Sequence, residues 1–264
     1  MPAIRTETAE NILTITLDRP DALNAFDRAM KEELLAALKS AARNRDVRVV
    51  IITGAGRAFN AGQDLKERVA ADGAGAGAAA DLGTELRERF NPIILAIRQL
   101  DKPVVAAVNG VAAGAGCSLV LACDLVIASE DARFLEAFAR IGLVPDTGST
   151  WFLPRLIGYA RAAEMTFLAE PMDAATAERV GLVNRVVPAA RLGEEARALA
   201  LRLAAAAPLA LALTKRALNH AFESDLASQL ELEAQLQAVA GRSRDHAEGI
   251  AAFIEKRPAR FSGE

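Results

Sequence analysis

The chain is poor in the two residues that most often staple or metallate a small protein. It has two cysteines and two histidines among 264 residues. Cys117 and Cys123 lie six positions apart in one apolar stretch, too few for a disulfide framework, and read as buried thiols of a reducing compartment. His220 and His246 share no metal-ligand spacing, so no metal site is expected. An excess of positive charge is missing too. Thirty-one basic residues face 34 acidic ones, a net charge of −3, which argues against nucleic acid as a partner. No basic segment followed by an apolar run opens the chain, so no secretory signal is expected and the location is expected to be cytoplasmic. The nearest approach to a membrane span, residues 104–123, is interrupted by Gly110, Gly114 and Gly116 and flanked by Lys102, Pro103 and Asp124. A buried strand, a glycine turn and a buried helix explain it better, and no membrane partner is expected. No Gly-Lys-Ser/Thr P-loop ending, G-x-G-x-x-G turn or G-x-S-x-G elbow is present.

What is present suits a soluble globular protein. Apolar residues make up 52% and charged residues 25%, over a length that can bury a real core. Alanine is abundant, 58 residues or 22%, which predicts a helix-rich fold with close contacts. Residues 11–17 alternate as a half-covered strand, and 47–53 read as a strand covered on both faces. Between them a helix is expected over 27–44 with Asp27 as its N-cap. A short helix over 64–70, a low-complexity loop over 71–80 that could form part of a pocket wall, and a helix over 86–100 follow. Strands at 104–108 and 125–128 bracket a helix over 114–122, and a last strand is expected over 183–187. Residues 189–257 read as successive helices punctuated by Pro208 and Gly241. Alternating strands and helices followed by a helical run predict an α/β fold with a parallel sheet. The expected organisation is a core over 1–200 and a C-terminal helical section over 201–264.

Three turns could carry chemistry. The first spans 54–64 (Gly-Ala-Gly-Arg-Ala-Phe-Asn-Ala-Gly-Gln-Asp), between a strand and a helix. The second spans 109–118 (Asn-Gly-Val-Ala-Ala-Gly-Ala-Gly-Cys-Ser), in the same context. Glycines at such turns bring main-chain amides close to a ligand, and a helix start leaves amides unpaired. One amide from each turn could meet at a single oxygen, as in an oxyanion hole; tight helix packing is the plainer reading. The third spans 142–150 (Gly-Leu-Val-Pro-Asp-Thr-Gly-Ser-Thr). Asp146 there is either a helix N-cap or a carboxyl whose apolar surroundings raise its pKa and suit it to proton transfer.

Taken together, these stretches resemble the crotonase, or enoyl-CoA hydratase/isomerase, superfamily. The resemblance covers nearly the whole chain. It rests on Leu17-Asp18-Arg19-Pro20 with Leu23-Asn24-Ala25, on Phe59 through Leu65, and on Lys102 through Gly110. It continues through Cys123-Asp124 and ends at Phe253-Ile254-Glu255-Lys256-Arg257. It implies stacked ββα units with a C-terminal helical section used in trimerisation, as trimers or dimers of trimers. It implies an acyl-CoA thioester as substrate and no separate cofactor. The oxyanion-hole amides carry over to Gln63 and Ala115, with Gly114 at the start of the second turn. Ala25, Ala61, Gly62, Gln63, Asp64 and Leu65 would line the CoA, and Phe138 the acyl group. Phe253 and Lys256 match positions that reach the CoA of a neighbouring subunit.

The departures narrow the activity. Family hydratases carry glutamates at the positions of Ser118 and Phe138, where this chain has none. A third acidic position, used by family isomerases and dehalogenases, matches Asp146. Residues 138–151 and 240–245 resemble the branch of the family that isomerises epoxidised phenylacetyl-CoA. The expectation is an isomerase with Asp146 as its one working acid and a dry, roomy pocket beside Ser118 and Phe138. A 2-enoyl-CoA hydratase of the β-oxidation type and a catalytically silent acyl-CoA-binding homologue are the alternatives.

Overall fold

The computed structural model describes residues 2–67 and 81–264. Two sheets organise the chain. In the larger, β1 (Ile4–Ala9) and β2 (Ile12–Leu17) form an antiparallel hairpin. Its two turn residues, Glu10 and Asn11, both take positive φ, which matches the right-handed twist of a tight hairpin. β2 then pairs in parallel with β3 (Val49–Gly54), β3 with β5 (Val104–Val108), β5 with β7 (Leu125–Ser129), and β7 with β10 (Arg185–Val187). Three of these strands are each followed by a three-residue strand of the second sheet: β4 (Ala58–Asn60), β6 (Val111–Ala113) and β8 (Arg133–Leu135). Those short strands pair in parallel with one another, and β9 (Met172–Asp173) closes the edge antiparallel. The chain thus advances as a coil of strand–strand–helix turns, the ββα superhelix that the sequence resemblance implies.

Helices fill the remaining turns. α1 (Arg28–Arg43) buries Met30, Leu34, Leu38 and Ala41, and its N-cap Asp27 accepts the Met30 amide at 2.7 Å, as expected. A short α2 (Leu82–Glu85) runs through the wide turn Leu86–Phe90 into α3 (Asn91–Gln99). α4 (Ala115–Ala122) is buried along its whole length. α5 (Ser149–Ile157), α6 (Tyr159–Leu168) and α7 (Ala174–Val180) lead back to the sheet. α8 (Leu192–Ala204) lies on that sheet, and α9 (Pro208–His220), α10 (Leu226–Ala240) and α11 (Arg244–Glu255) follow.

Period-two alternation divides the large sheet between two cores. Val50, Ile52, Val104, Ala106, Val108 and Val126 face the main core. Val49, Ile51, Val105, Ala107 and Ile127 face α8 instead, where they meet Leu192, Ala196, Ala200 and Ala204. Covered on both sides, these strands read as unbroken apolar runs. The alanine stripe of α8 is where the high alanine content becomes close packing. The C-terminal helices are tied to the core by Lys215 of α9. Its ammonium donates to the Ile97 carbonyl at 2.7 Å and to Asp124 Oδ2 at 2.7 Å.

Some features escaped the sequence reading. β1 and β8 were not expected, and β4 and β6 lie within stretches read as glycine turns. Residues 68–70 of the expected short helix and the whole expected 71–80 loop lie outside the described residues. Residues 104–123 form a strand, a turn and a helix as anticipated. No single helix among the described residues is long and apolar enough to cross a membrane.

Ala200 is fully buried against the sheet whereas Ala198 is exposed on the same helix. Ala200→Leu should overpack this interface and lower the unfolding free energy by about 1–3 kcal/mol, with Ala198→Leu close to neutral. Urea unfolding of both variants checks this.

Candidate active site

The first glycine turn is held by two buried asparagines. Asn24, in a left-handed conformation at φ 56°, donates through Nδ2 to the carbonyls of Ala55 and Ala58, both at 2.8 Å. Asn60 donates to the Asn24 carbonyl at 2.5 Å and accepts the Gly62 amide at 2.8 Å. Gly62 sits at φ +91°, and a Cβ there would lie 2.9 Å from the Ala113 carbonyl oxygen, so the position needs glycine twice over. Outside the turn, the Phe26 amide donates to the Gly62 carbonyl at 2.7 Å and the Asp64 amide to the Phe26 carbonyl at 2.9 Å. Arg19 closes the bracket. Its guanidinium bonds the Ala25 carbonyl at 2.6 Å and pairs with Asp27 at 3.0 Å and Asp64 at 2.9 Å. The Gln63 side chain turns to the buried Lys31 ammonium at 3.0 Å, which pairs with Glu85.

The second turn approaches the first. Gly114, at φ 50° and ψ −124°, precedes α4, and its carbonyl accepts the first helical bond from the Ser118 amide at 3.0 Å. The amides of residues 115–117 are therefore the unpaired start of the helix. Gly116 permits the approach: a Cβ there would lie 2.3 Å from the Asn60 carbonyl oxygen. A Cβ on Gly62 would lie 3.7 Å from the Ala115 amide nitrogen, so the two turns touch. Among the described residues neither the Gln63 nor the Ala115 amide donates to a protein acceptor. The structure thus places the two turns that bear these amides side by side, the second at the start of a helix.

The third turn meets the second through one hydroxyl. Ser118 Oγ lies 3.2 Å from the Gly114 carbonyl and 3.1 Å from the Asp146 carbonyl. Asp146 itself is half-buried. The N-cap of α5 is Gly148, with no side chain capping it, so the Asp146 carboxyl is not the cap that the plainer reading made it. Among the described residues the carboxyl accepts only from the Thr147 hydroxyl, at 2.7 Å. Burial pushes the Asp146 carboxyl above the ordinary aspartate range, and the Thr147 bond offsets this only in part. Thr147 stands at φ 54°, an unfavourable conformation for a β-branched residue, which tertiary contacts must hold.

The remaining expected residues divide. Phe138 is buried, with its ring 3.7 Å from where a Gly114 Cβ would stand, so it covers the second turn. Ala61 and Asp64 lie in the bracketed first turn, Ala25 is held beside it by Arg19, and Leu65 is exposed at its end. Ser118 does not widen a pocket, as the sequence reading had it. It is fully buried and works as a strut between the two turns. Phe253 is 85% exposed and Lys256 is exposed at the end of α11, and no described hydrogen bond links either to the first two turns. Both cysteines are buried; burial first, and Glu136 second, push the Cys117 thiol well above its ordinary value. No group of three His, Cys, Asp or Glu side chains among the described residues could hold a metal.

One residue was missed. Glu136 is fully buried, and its Oε1 lies 3.0 Å from the Ser149 hydroxyl oxygen. Ser149 Oγ lies 2.6 Å from Ser118 Oγ, which continues the chain to the Asp146 carbonyl. Glu136 Oε2 is buried without a partner among the described residues. Burial pushes this carboxyl from the ordinary 4.5 up to about 8, aided by the Asp146 charge and opposed by Ser149 and Cys117. Nothing in the local sequence Leu-Glu-Ala-Phe marks it, because the acid is separated from its partners by 13 residues or more.

The family described as Enoyl-CoA hydratase/isomerase matches residues 7–264. A Rhodobacter capsulatus protein named as a probable enoyl-CoA hydratase is 46% identical over 260 residues, covering 98% of both chains. The Escherichia coli 1,2-epoxyphenylacetyl-CoA isomerase is 42% identical over 264 residues, covering 100% of both. The crystal structure of an enoyl-CoA hydratase from Bacillus anthracis superposes with a TM-score of 0.93 at 36% identity, over 99% of this chain and 100% of that one.

Two outcomes follow for stability. Gly116→Ala forces α4 off the Asn60 main chain and should cost at least about 2 kcal/mol, read by urea unfolding. Because the folded state holds the Glu136 proton more tightly than the unfolded chain, its contribution is fully present below pH 4.5 and is lost as pH rises through about 8. The loss amounts to up to about 5 kcal/mol. Glu136→Gln should flatten the decline in stability across that range, measured by unfolding at a series of pH values.

Proposed function

Given that this chain belongs to the enoyl-CoA hydratase/isomerase family, we propose that it is an acyl-CoA isomerase with Asp146 as its proton-transferring acid. The observation that carries this reading is the joining of three turns: two neighbouring turns whose Gln63 and Ala115 amides donate to no acceptor among the described residues, and a third, bearing the half-buried Asp146, whose main-chain carbonyl meets the Ser118 hydroxyl. The thioester oxygen would lie between the Gln63 and Ala115 amides. Asp146 takes the proton from the carbon beside the carbonyl, and the electron pair left behind moves onto that oxygen. Fixed donors stabilise the enolate without reorganising, an effect worth about 10²–10³ in rate per donor. The protonated Asp146 then returns the proton at another carbon, which shifts a double bond, or to the oxygen of a strained ring, which opens it. No atom is gained or lost.

The raised affinity of Asp146 for protons suits this shuttle, since an acid tuned toward neutrality gives and takes a proton more evenly. Hydration would need a group to orient water. The two positions that supply it in family hydratases hold Phe138, apolar, and Ser118, whose hydroxyl is committed to main-chain oxygens. The name of the Escherichia coli relative supports an epoxidised phenylacetyl-CoA as substrate. The name of the Rhodobacter relative favours a second reading, a 2-enoyl-CoA hydratase. Assembly as a trimer or dimer of trimers is supported by the exposed apolar side chains of α11, Ile250, Phe253 and Ile254, which a neighbouring subunit would cover. Phe253 and Lys256 would then reach the CoA across that contact.

Asp146→Asn should lower kcat for isomerisation by about 10²–10⁴-fold and leave the Kd for a CoA thioester unchanged. In the wild type, kcat/KM should fall on acidification through a pKa above the ordinary 3.8 of aspartate, because the base must be ionised in the free enzyme. Rapid hydration of crotonyl-CoA that survives Asp146→Asn would instead establish the second reading.

A further inference from the structure

We infer that Glu136 is a positioning residue for Asp146, acting as a protonated acid through the hydroxyls of Ser149 and Ser118. The inference rests on the proposed role of Asp146 and adds a group behind the site that touches no substrate. Three observations carry it. Glu136 is fully buried, and no basic side chain among the described residues pairs with it. Among the described residues its buried Oε2 accepts no hydrogen bond, a costly arrangement for an ionised carboxylate and a tolerable one for the carbonyl oxygen of a neutral acid. An unbroken line of oxygens then runs from Oε1 to the main chain of the acid in front: 3.0 Å to Ser149 Oγ, 2.6 Å to Ser118 Oγ, and 3.1 Å to the Asp146 carbonyl.

Each hydroxyl in this line has one proton to donate, so the direction of donation is set at its buried end. With Glu136 protonated on Oε1, the acid donates to Ser149, Ser149 donates to Ser118, and Ser118 donates outward, shared between the Asp146 carbonyl at 3.1 Å and the Gly114 carbonyl at 3.2 Å. When the proton leaves for solvent, Ser149 turns to the carboxylate and Ser118 turns to Ser149. The Asp146 carbonyl then keeps only the Ser149 amide, at 3.0 Å. That carbonyl belongs to the peptide leading into Thr147, whose left-handed φ persists only under constraint. Loss of the outward bond releases this constraint beside the working carboxyl. The titratable groups facing Glu136 are the Cys117 thiol of α4 and the Asp146 carboxyl of the third turn. The thiol stays neutral across the working range; burial first, and the Asp146 charge as a smaller addition, favour the protonated form of Glu136. Two nearby carboxyls thus divide their duties, one ionised and one neutral.

The test uses the full-length protein with 13C-labelled aspartate and glutamate carboxyls, titrated by NMR, in the wild type, Glu136→Gln and Ser149→Ala. One glutamate signal, absent from Glu136→Gln, should titrate near 8, and an Asp146 signal should move at the same pH. That coupled movement should vanish in both variants. In parallel, wild-type kcat should fall about tenfold from its plateau by one pH unit above that titration, with KM little changed, and Glu136→Gln should lack the alkaline fall. A Glu136 signal in the ordinary carboxylate range, or an alkaline limb that Glu136→Gln retains, overturns the inference. A wild type with the coupled titration but no isomerase turnover would overturn the proposed function and leave the coupling standing.

Discussion

Only a hydrogen atom fits between position 116 and the main chain of Asn60, and the site depends on that contact. With Gly116 at the start of α4, the helix settles onto the first turn, and the Ala115 amide comes up against Gly62. The contact can form only because each turn is already rigid. Asn24 and Asn60 satisfy the carbonyls and amide of the first from inside, and Arg19 holds its outer rim to Ala25, Asp27 and Asp64. Buried polar groups that are fully bonded specify one arrangement, and here they fix where two free amides point.

From that contact the chemistry extends in two directions. Forward, in the proposed mechanism, the unpaired amides offer fixed positive charge to an oxygen that becomes negative. Backward, Ser118 carries the geometry of the second turn to the third by touching the carbonyls of both Gly114 and Asp146. The same serine that excludes a catalytic glutamate from its position therefore helps to place the acid that remains. Burial raises the proton affinity of Asp146 moderately and of Glu136 much more, so the two carboxyls behave differently although they share one neighbourhood.

Much of this was legible in the sequence, for identifiable reasons. Long strands such as β3 and β5 announce themselves as apolar runs, and Asp27 caps α1 as its position suggested. The glycine turns and Asp146 stood out because backbone freedom and an acid among apolar residues are local signals. The second sheet did not, since three residues are too few to show alternation and its pairing is decided by contacts distant in sequence. Glu136 was invisible for a related reason. Its burial comes from α4 and α5 closing over it, and its partners Ser118 and Ser149 are ordinary residues until the fold aligns them. Ser118 was misjudged in direction: sequence could say which group was missing, but not that the hydroxyl faces main-chain oxygens.

The account turns on where a thioester sits. A crystal structure of this protein with a non-reactive acyl-CoA analogue measures that directly. The account expects the thioester oxygen about 2.7–3.1 Å from both the Gln63 and Ala115 amide nitrogens, with the Asp146 carboxyl facing the carbon next to the carbonyl. A thioester oxygen bound by neither amide, or an Asp146 carboxyl pointing away from that carbon, would contradict it.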